Sequence, residues 1–161
     1  RNKIIYMKNK VVELLKNSNL TIGSIESLTG GLFASSLTSI PGVSKVFKGS
    51  VVSYATEVKE MVVNVSKDVV TNYGVVSKEC ALEMALNGKK LLGVDVCVSF
   101  TGNAGPDVMD GKKVGTVYIG LIINDDIEVF ELNLSGDRNK IREECVKIAF
   151  EKIYKKLSRT F

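Results

Sequence analysis

Histidine is absent from the 161-residue chain. This absence excludes catalysis by Ser-His-Asp triads and Cys-His dyads, and it leaves few ligands for a zinc site. We therefore predict no metal site. A serine nucleophile in this chain would need a different base, and lysine is the obvious candidate.

Cysteine is scarce and membrane-length apolar runs are missing. Cys80, Cys97 and Cys145 are widely separated and form no C-x-x-C pair, which is typical of a reducing cytoplasm. We expect each to be a small buried residue in a helix or strand. No apolar run approaches the roughly 20 residues that span a bilayer. The first ten residues mix charged and apolar groups too finely for a signal peptide. These features predict a cytoplasmic protein without a membrane segment, and a start at Arg1 suggests a trimmed chain or part of a longer one.

Concentrated positive charge is also lacking, although the net charge is +4. Lysines and arginines are scattered among acidic residues, and the longest basic run is a Lys-Lys doublet. Nucleic-acid-binding proteins usually gather their positive charge on one face. The distribution argues against direct nucleic-acid binding, while a modest basic excess suits a small anionic ligand.

Hydrophobic periodicity and turn residues predict alternating helices and strands. We predict strands at 21–26, 46–54, 94–100, 114–123 and 127–134. We predict helices at 3–17, 32–38 and 139–157, and three more with Thr56, Ser66 and Ser77 as N-caps. The last two strands form a hairpin. The pattern indicates one α/β domain over residues 1–161, a three-layer α/β/α sandwich with a mixed, mostly parallel sheet.

The first candidate site is Glu26-Ser27-Leu28-Thr29-Gly30-Gly31, where a strand turns into a helix. Free N–H groups at a helix start favour a phosphate or a developing oxyanion, and glycine allows close approach. Ser27 therefore has the setting of a nucleophile. The alternative is that Ser27 and Thr29 only cap the helix.

The second candidate is Lys59, in the first turn of a helix that Thr56 would cap. The helix dipole disfavours a cation there, and partial burial would lower the lysine pKa towards that of a usable base. The alternative is an ordinary solvated lysine.

The third candidate is the glycine-rich segment from Thr101 to Asp107, which follows the most apolar strand. It has the composition of a ligand-binding loop, although a structural turn is the alternative. The Walker pattern fails, because Pro106 stands at its first glycine and Lys113 at its Ser/Thr position. Hydrolysis of nucleoside triphosphates is therefore not indicated.

The fourth candidate is Ser135-Gly136-Asp137-Arg138, between the last strand and the last helix. Arg138 could bind a phosphate with two hydrogen bonds while Asp137 caps the helix. A solvated arginine beside a helix cap is the alternative.

Taken together, these segments resemble the CinA carboxy-terminal domain family, whose stand-alone members are nicotinamide-nucleotide amidases. The resemblance covers about residues 8–157 and rests on five motifs in the family's order. They are Glu26-Ser27-Leu28-Thr29-Gly30-Gly31, Tyr54-Ala55-Thr56-Glu57-Val58-Lys59, Gly74-Val75-Val76-Ser77, Thr101-Gly102-Asn103-Ala104-Gly105-Pro106 and Gly136-Asp137-Arg138.

The resemblance implies hydrolysis of the carboxamide of nicotinamide mononucleotide to nicotinic acid mononucleotide and ammonia, without a cofactor. Ser27 falls on the family's nucleophile and Lys59 on its general base, with Tyr54 beside them. It further implies an oxyanion and substrate site made of Thr29, Gly30, Gly31, Gly102, Asn103, Ala104, Gly105 and Arg138. The assembly is left open between a monomer, a homodimer and a larger homo-oligomer.

The sequence departs from the family in three places. Leu28 replaces the usual cysteine, and Asn103 stands where a small or aliphatic residue is usual, while Asp107-Val108-Met109 replaces a glycine pair. These changes leave the serine–lysine pair intact and bear on substrate fit. The competing interpretations are a non-catalytic phosphate-ligand or regulatory module, and an interaction protein tied to competence or DNA repair.

Overall fold

Five strands form one mixed sheet in the computed structural model, which describes residues 2–160. The strands are β1 (Ile22–Glu26), β2 (Phe47–Val52), β3 (Val96–Gly102), β4 (Thr116–Ile123) and β5 (Asp126–Asn133), in the order β2-β1-β3-β4-β5. Strand β1 is parallel to its neighbours β2 and β3, whereas β4 is antiparallel to both β3 and β5. The sheet is thus partly parallel rather than mostly parallel. The reason is that neither β3–β4 nor β4–β5 has the crossover helix that parallel neighbours need.

The helices begin and end close to the predicted positions. They are α1 (Asn2–Asn17), α2 (Leu32–Thr38), α3 (Thr56–Met61), α4 (Lys67–Tyr73), α5 (Lys78–Leu92) and α6 (Arg138–Thr160). The hydroxyls of Ser66 and Ser77 cap α4 and α5 as predicted, and a left-handed Gly93 ends α5. The prediction for Thr56 is wrong. The N-cap of α3 is Ala55, Thr56 is the first helical residue, and no side chain caps this end.

Hydrophobic residues pack on both faces of the sheet, because alternate residues of each strand point to opposite sides. On one face Phe33 of α2 stacks on Phe150 of α6, with ring centroids 4.7 Å apart, and both belong to a cluster that includes Phe100 of β3. On the other face Met84 of α5 joins a cluster that includes Ile25 of β1. The α/β fold is therefore confirmed, with helices packed on the sheet.

All three cysteines are buried and free, as predicted. Burial raises the pKa of each thiol to about 12, so the thiolate form is disfavoured and these residues act as small hydrophobes. No helix in the described residues 2–160 combines the length and the apolar character needed to cross a bilayer.

The order of the parallel strands decides where chemistry can occur. Because β2, β1 and β3 run in the same direction, their carboxyl ends lie side by side at one edge of the sheet. The segments that follow these strands, residues 27–31, 53–55 and 103–115, therefore meet at this edge.

Candidate active site

A cavity of about 340 Å³ opens at the carboxyl edge of the parallel strands, which is within the usual size of small-molecule sites. It brings together most of the predicted site residues. Its wall includes Ser27, Tyr54, Lys59, Gly102, Asn103, Ala104, Gly105 and Arg138. Thr29, Gly30 and Gly31 do not line it.

Ser27 and Lys59 form a hydrogen-bonded pair in the wall of this cavity. The Lys59 Nζ lies 3.0 Å from the Ser27 Oγ, and it also donates to the carbonyl oxygens of Ser53 at 2.7 Å and Tyr54 at 3.0 Å. Only 1% of Lys59 is exposed. Within residues 3–160, no carboxylate lies close enough to form an ion pair with it.

The environment of Lys59 favours the neutral amine. Burial lowers the Lys59 pKa below its ordinary value of 10.5, and the electrostatic effect of Cys80 opposes this only in part. The three oxygens within hydrogen-bond distance of the Lys59 Nζ are all neutral, so none of them compensates a full positive charge. The sequence predicted partial burial in the first turn of a helix. Lys59 is instead almost fully buried, and it is the fourth residue of the six-residue α3.

Backbone hydrogen bonds hold together the two segments that carry Ser27 and Lys59. The Ser27 N–H donates to the Phe100 carbonyl at 3.1 Å, which ties Ser27 to β3. The Ser53 N–H donates to the Glu26 carbonyl at 2.8 Å, which ties the segment after β2 to the end of β1. Helix α3 begins at Thr56, three residues after Ser53, and this places the Lys59 side chain against Ser27.

The carboxylate of Glu26 occupies the helix start that was predicted to bind an anion. Its oxygens accept hydrogen bonds from the N–H groups of Gly31, Phe33 and Ala34 at 3.0–3.1 Å. Ser24 Oγ donates to the same carboxylate at 2.9 Å, and Glu26 is fully buried. This side chain therefore satisfies the free N–H groups of α2 from within the protein. The signal in the sequence is a charged residue at the end of a strand, just before a glycine pair and a helix.

This arrangement corrects the prediction that Gly30 and Gly31 donate to an oxyanion. The Gly31 N–H is taken by Glu26, and the Gly30 N–H donates to the Ser27 carbonyl at 3.0 Å. In the described part of the chain, the N–H groups of Leu28 and Thr29 donate to no protein acceptor. Leu28 lines the cavity, so its N–H is the better-placed donor.

Tyr54 and Arg138 meet at the rim of the cavity. The guanidinium of Arg138 donates to the Tyr54 hydroxyl at 2.7 Å and to the Gly105 carbonyl at 2.6 Å. Arg138 is the first residue of α6, and Asp137 before it caps the helix by accepting from the Lys140 N–H, as predicted. The Tyr54 phenol therefore interacts with Arg138, and only the Tyr54 carbonyl contacts Lys59.

Asn103 holds the loop that follows β3. Its side-chain amide donates to the carbonyls of Met109 and Lys112, and its oxygen accepts from the Met109 N–H at 3.0 Å. Asn103 is 4% exposed, so this unusual residue organises the loop. Its amide groups are thus used within the protein, while Asn103 also lines the cavity, so its role in substrate binding stays a prediction.

We expect Glu26→Gln to lower the free energy of unfolding by about 2–3 kcal/mol. The glutamine side chain keeps the shape of glutamate but loses its charge. Its NH₂ group replaces one carboxylate oxygen, so a donor then faces the backbone N–H donors of α2. Urea unfolding followed by circular dichroism measures the change. Glu143→Gln is the control, since Glu143 is exposed on α6. A loss below about 0.5 kcal/mol would show that Glu26 does not stabilise α2.

Comparison with known proteins places the chain in a family. The CinA C-terminal domain matches residues 5–157. Competence-damage inducible proteins from Bacillus thuringiensis strain Al Hakam and Bacillus cereus strain AH820 are each 50% identical over 153 residues. The match covers 94% of this chain, which spans 37% of the length of those relatives.

Solved structures agree in fold. A CinA superfamily protein from Klebsiella pneumoniae 700603 is 25% identical, with a TM-score of 0.93 over 97% of this chain and 98% of that one. A competence/damage inducible protein from Agrobacterium tumefaciens is 29% identical, with a TM-score of 0.89 over 93% of each chain. On the family match and the sequence identity together, this chain belongs to the CinA C-terminal domain family.

Proposed function

We propose that this domain hydrolyses the carboxamide of nicotinamide mononucleotide, giving nicotinic acid mononucleotide and ammonia. The observation that carries the proposal is the buried Lys59 amine, 3.0 Å from a serine hydroxyl and without an ion-pair partner in residues 3–160. A lysine that only stabilised the fold would be expected to pair with a carboxylate or reach solvent. Here it contacts a nucleophile in a cavity wall.

In the acylation step, the neutral Lys59 amine accepts the Ser27 proton as the Ser27 Oγ attacks the carboxamide carbon. The carbonyl π electrons move to oxygen, and the N–H groups of Leu28 and Thr29 are the donors that stabilise this oxyanion. When the tetrahedral intermediate collapses, the protonated Lys59 gives its proton to the departing nitrogen, and ammonia leaves.

In the deacylation step, Lys59 is neutral again and accepts a proton from water, which attacks the Ser27 ester. Collapse of the second tetrahedral intermediate breaks the ester bond, and the proton returns from Lys59 to the Ser27 oxygen. The product is the nicotinate carboxylate. Lys59 carries the proton that moves between Ser27, the departing ammonia and the attacking water, and the carboxyl group of the product loses its remaining proton to solvent. The proposed reaction uses no metal or organic cofactor.

Ammonia release from nicotinamide mononucleotide by the purified protein tests the proposal directly. Release that increases with enzyme concentration and disappears in Ser27→Ala supports it. No release above that of buffer would favour the competing role, a non-catalytic ligand-binding or regulatory module linked to competence or DNA repair. The cytoplasm, a reducing compartment that suits three free cysteines, is the proposed place of action.

We expect Arg138→Ala to raise KM for nicotinamide mononucleotide by about 10- to 100-fold, with a much smaller effect on kcat. This corresponds to the loss of a charge-assisted hydrogen bond to the 5′-phosphate, about 1.5–3 kcal/mol. Arg138 lies at the rim of the cavity and is exposed, so it can bind a group at the entrance. Steady-state kinetics measures both constants.

Two comparisons make the Arg138 test specific. Lys140→Ala removes a neighbouring exposed cation on the same helix and should leave KM unchanged. Nicotinamide riboside lacks the phosphate, so its kcat/KM should not respond to Arg138→Ala. An equal loss with riboside and mononucleotide would show that Arg138 does not recognise the phosphate.

A further inference from the structure

Arg142 lies behind the turn that carries the nucleophile, on the first part of α6. Its Nε donates to the Leu28 carbonyl and its Nη2 to the Thr29 carbonyl, each at 3.0 Å. Its Nη1 donates to the Asn139 side chain at 3.0 Å. Arg142 does not line the cavity, so its contacts are with the backbone of the turn and with its own helix.

These contacts orient the peptide groups of the turn. In a planar trans peptide, the carbonyl of one residue and the N–H of the next point in opposite directions. Because Arg142 binds the Leu28 carbonyl, the Thr29 N–H points away from the guanidinium. The Ser27 carbonyl is fixed separately by the Gly30 N–H, which in the same way directs the Leu28 N–H to the opposite side.

We propose that Arg142 is a positioning residue that holds the turn after Ser27 in the conformation that aims its free N–H groups at the oxyanion. This inference rests on the amidase activity proposed above. Glu26 has already taken the N–H groups of α2, so the turn is the remaining source of backbone donors beside Ser27. The guanidinium binds two successive carbonyls with a rigid planar fork, which a lysine ammonium on a flexible stem cannot reproduce.

Positioning predicts a loss in turnover rather than in substrate binding. A small displacement of an oxyanion donor affects the transition state far more than the ground state. We expect Arg142→Met to lower kcat about 100-fold and Arg142→Lys about 10-fold, with KM within threefold of wild type in both. Arg159→Met, which removes an exposed arginine at the other end of α6, should leave kcat unchanged.

A binding experiment separates positioning from a merely structural role. Pyridine-3-boronic acid forms a tetrahedral adduct with an active serine, whereas nicotinic acid mononucleotide binds in its planar form. Arg142→Lys should weaken inhibition by the boronic acid about 10-fold and leave the dissociation constant of the mononucleotide within threefold. The midpoint of the pH–rate profile should stay at its wild-type position, because Arg142 does not contact Lys59.

The outcomes are decisive in both directions. An unchanged kcat in Arg142→Lys, equal losses for both ligands, or a shifted pH midpoint would overturn the positioning role. If Arg142→Met does not fold, the lysine variant carries the test.

If wild type releases no ammonia, the proposed function fails, and acylation of Ser27 by p-nitrophenyl nicotinate then tests Arg142 separately. In that reaction the nicotinoyl group moves to the Ser27 oxygen and p-nitrophenolate leaves. The Arg142 variants should acylate more slowly, and an unchanged rate would refute the role.

Discussion

Ser27→Ala is expected to lower kcat for nicotinamide mononucleotide by about 10⁴-fold or more. The hydroxyl is the group that forms the proposed ester, and removing a nucleophile from a unit of this kind abolishes nearly all of its catalytic advantage. The substitution deletes one oxygen in the cavity wall and leaves the backbone bond from Ser27 to Phe100 in place. The fold and the affinity for the mononucleotide should therefore persist.

Kinetics and binding together check the Ser27 assignment. Ammonia release gives kcat, and isothermal titration with the inactive variant gives the dissociation constant of the intact substrate. Ser35→Ala is the matched control, because Ser35 is exposed on α2 and its hydroxyl forms no hydrogen bond within the described residues. Activity above about a tenth of wild type in Ser27→Ala would contradict the assignment of Ser27 as the nucleophile.

Lys59→Met and Lys59→Arg should both lose most activity, by about 10³-fold or more. Methionine fills a similar volume but cannot accept a proton. Arginine also carries hydrogen-bond donors, yet its guanidinium stays protonated at any working pH and cannot act as a base. In wild type, kcat/KM should rise with pH as Lys59 loses its proton, through a midpoint below the ordinary lysine value of 10.5.

A pH–rate profile for wild type and both variants provides the check, with Lys48→Met as the control for loss of an exposed lysine. Near-normal activity in Lys59→Arg would show that Lys59 does not act as the base and has only an electrostatic or positioning role. The Tyr54 hydroxyl would be the next candidate base, although its contact with Arg138 makes it poorly placed. A profile that is flat from about pH 6 to 10 would contradict a titrating lysine.

The same pKa shift affects stability, with a sign that can be worked out. The folded-state pKa of Lys59 is lowered, so between that value and 10.5 the unfolded chain binds a proton that the folded protein lacks. The free energy of unfolding therefore rises with pH across this window, by at most about 1.4 kcal/mol per pH unit. Urea unfolding at several pH values should show this rise in wild type relative to Lys59→Met. Parallel curves for the two proteins would contradict the shift.

Most helices and strands could be predicted from local sequence signals, because the interactions that begin and end them are local. The Ser66 and Ser77 hydroxyls bond to N–H groups three residues away, and Gly93 supplies the left-handed residue that ends α5. The hairpin of β4 and β5 follows from its short polar turn. Thr56 was the exception, since α3 begins without any side-chain cap.

Local patterns in the sequence are enough to predict the alternation of helices and strands and to exclude histidine chemistry. The resemblance of the ordered motifs to the family is what predicted the pairing of Ser27 with Lys59. Which backbone N–H groups remain free to bind a ligand depends on the three-dimensional fold. Glu26 closes the start of α2 because the end of β1 points its carboxylate there, and Arg142 reaches the turn because α6 packs beside α2. Leu28 and Arg142 are 114 positions apart in the chain. Contacts of this kind depend on the order of strands and the packing of helices, which local propensity and spacing do not specify.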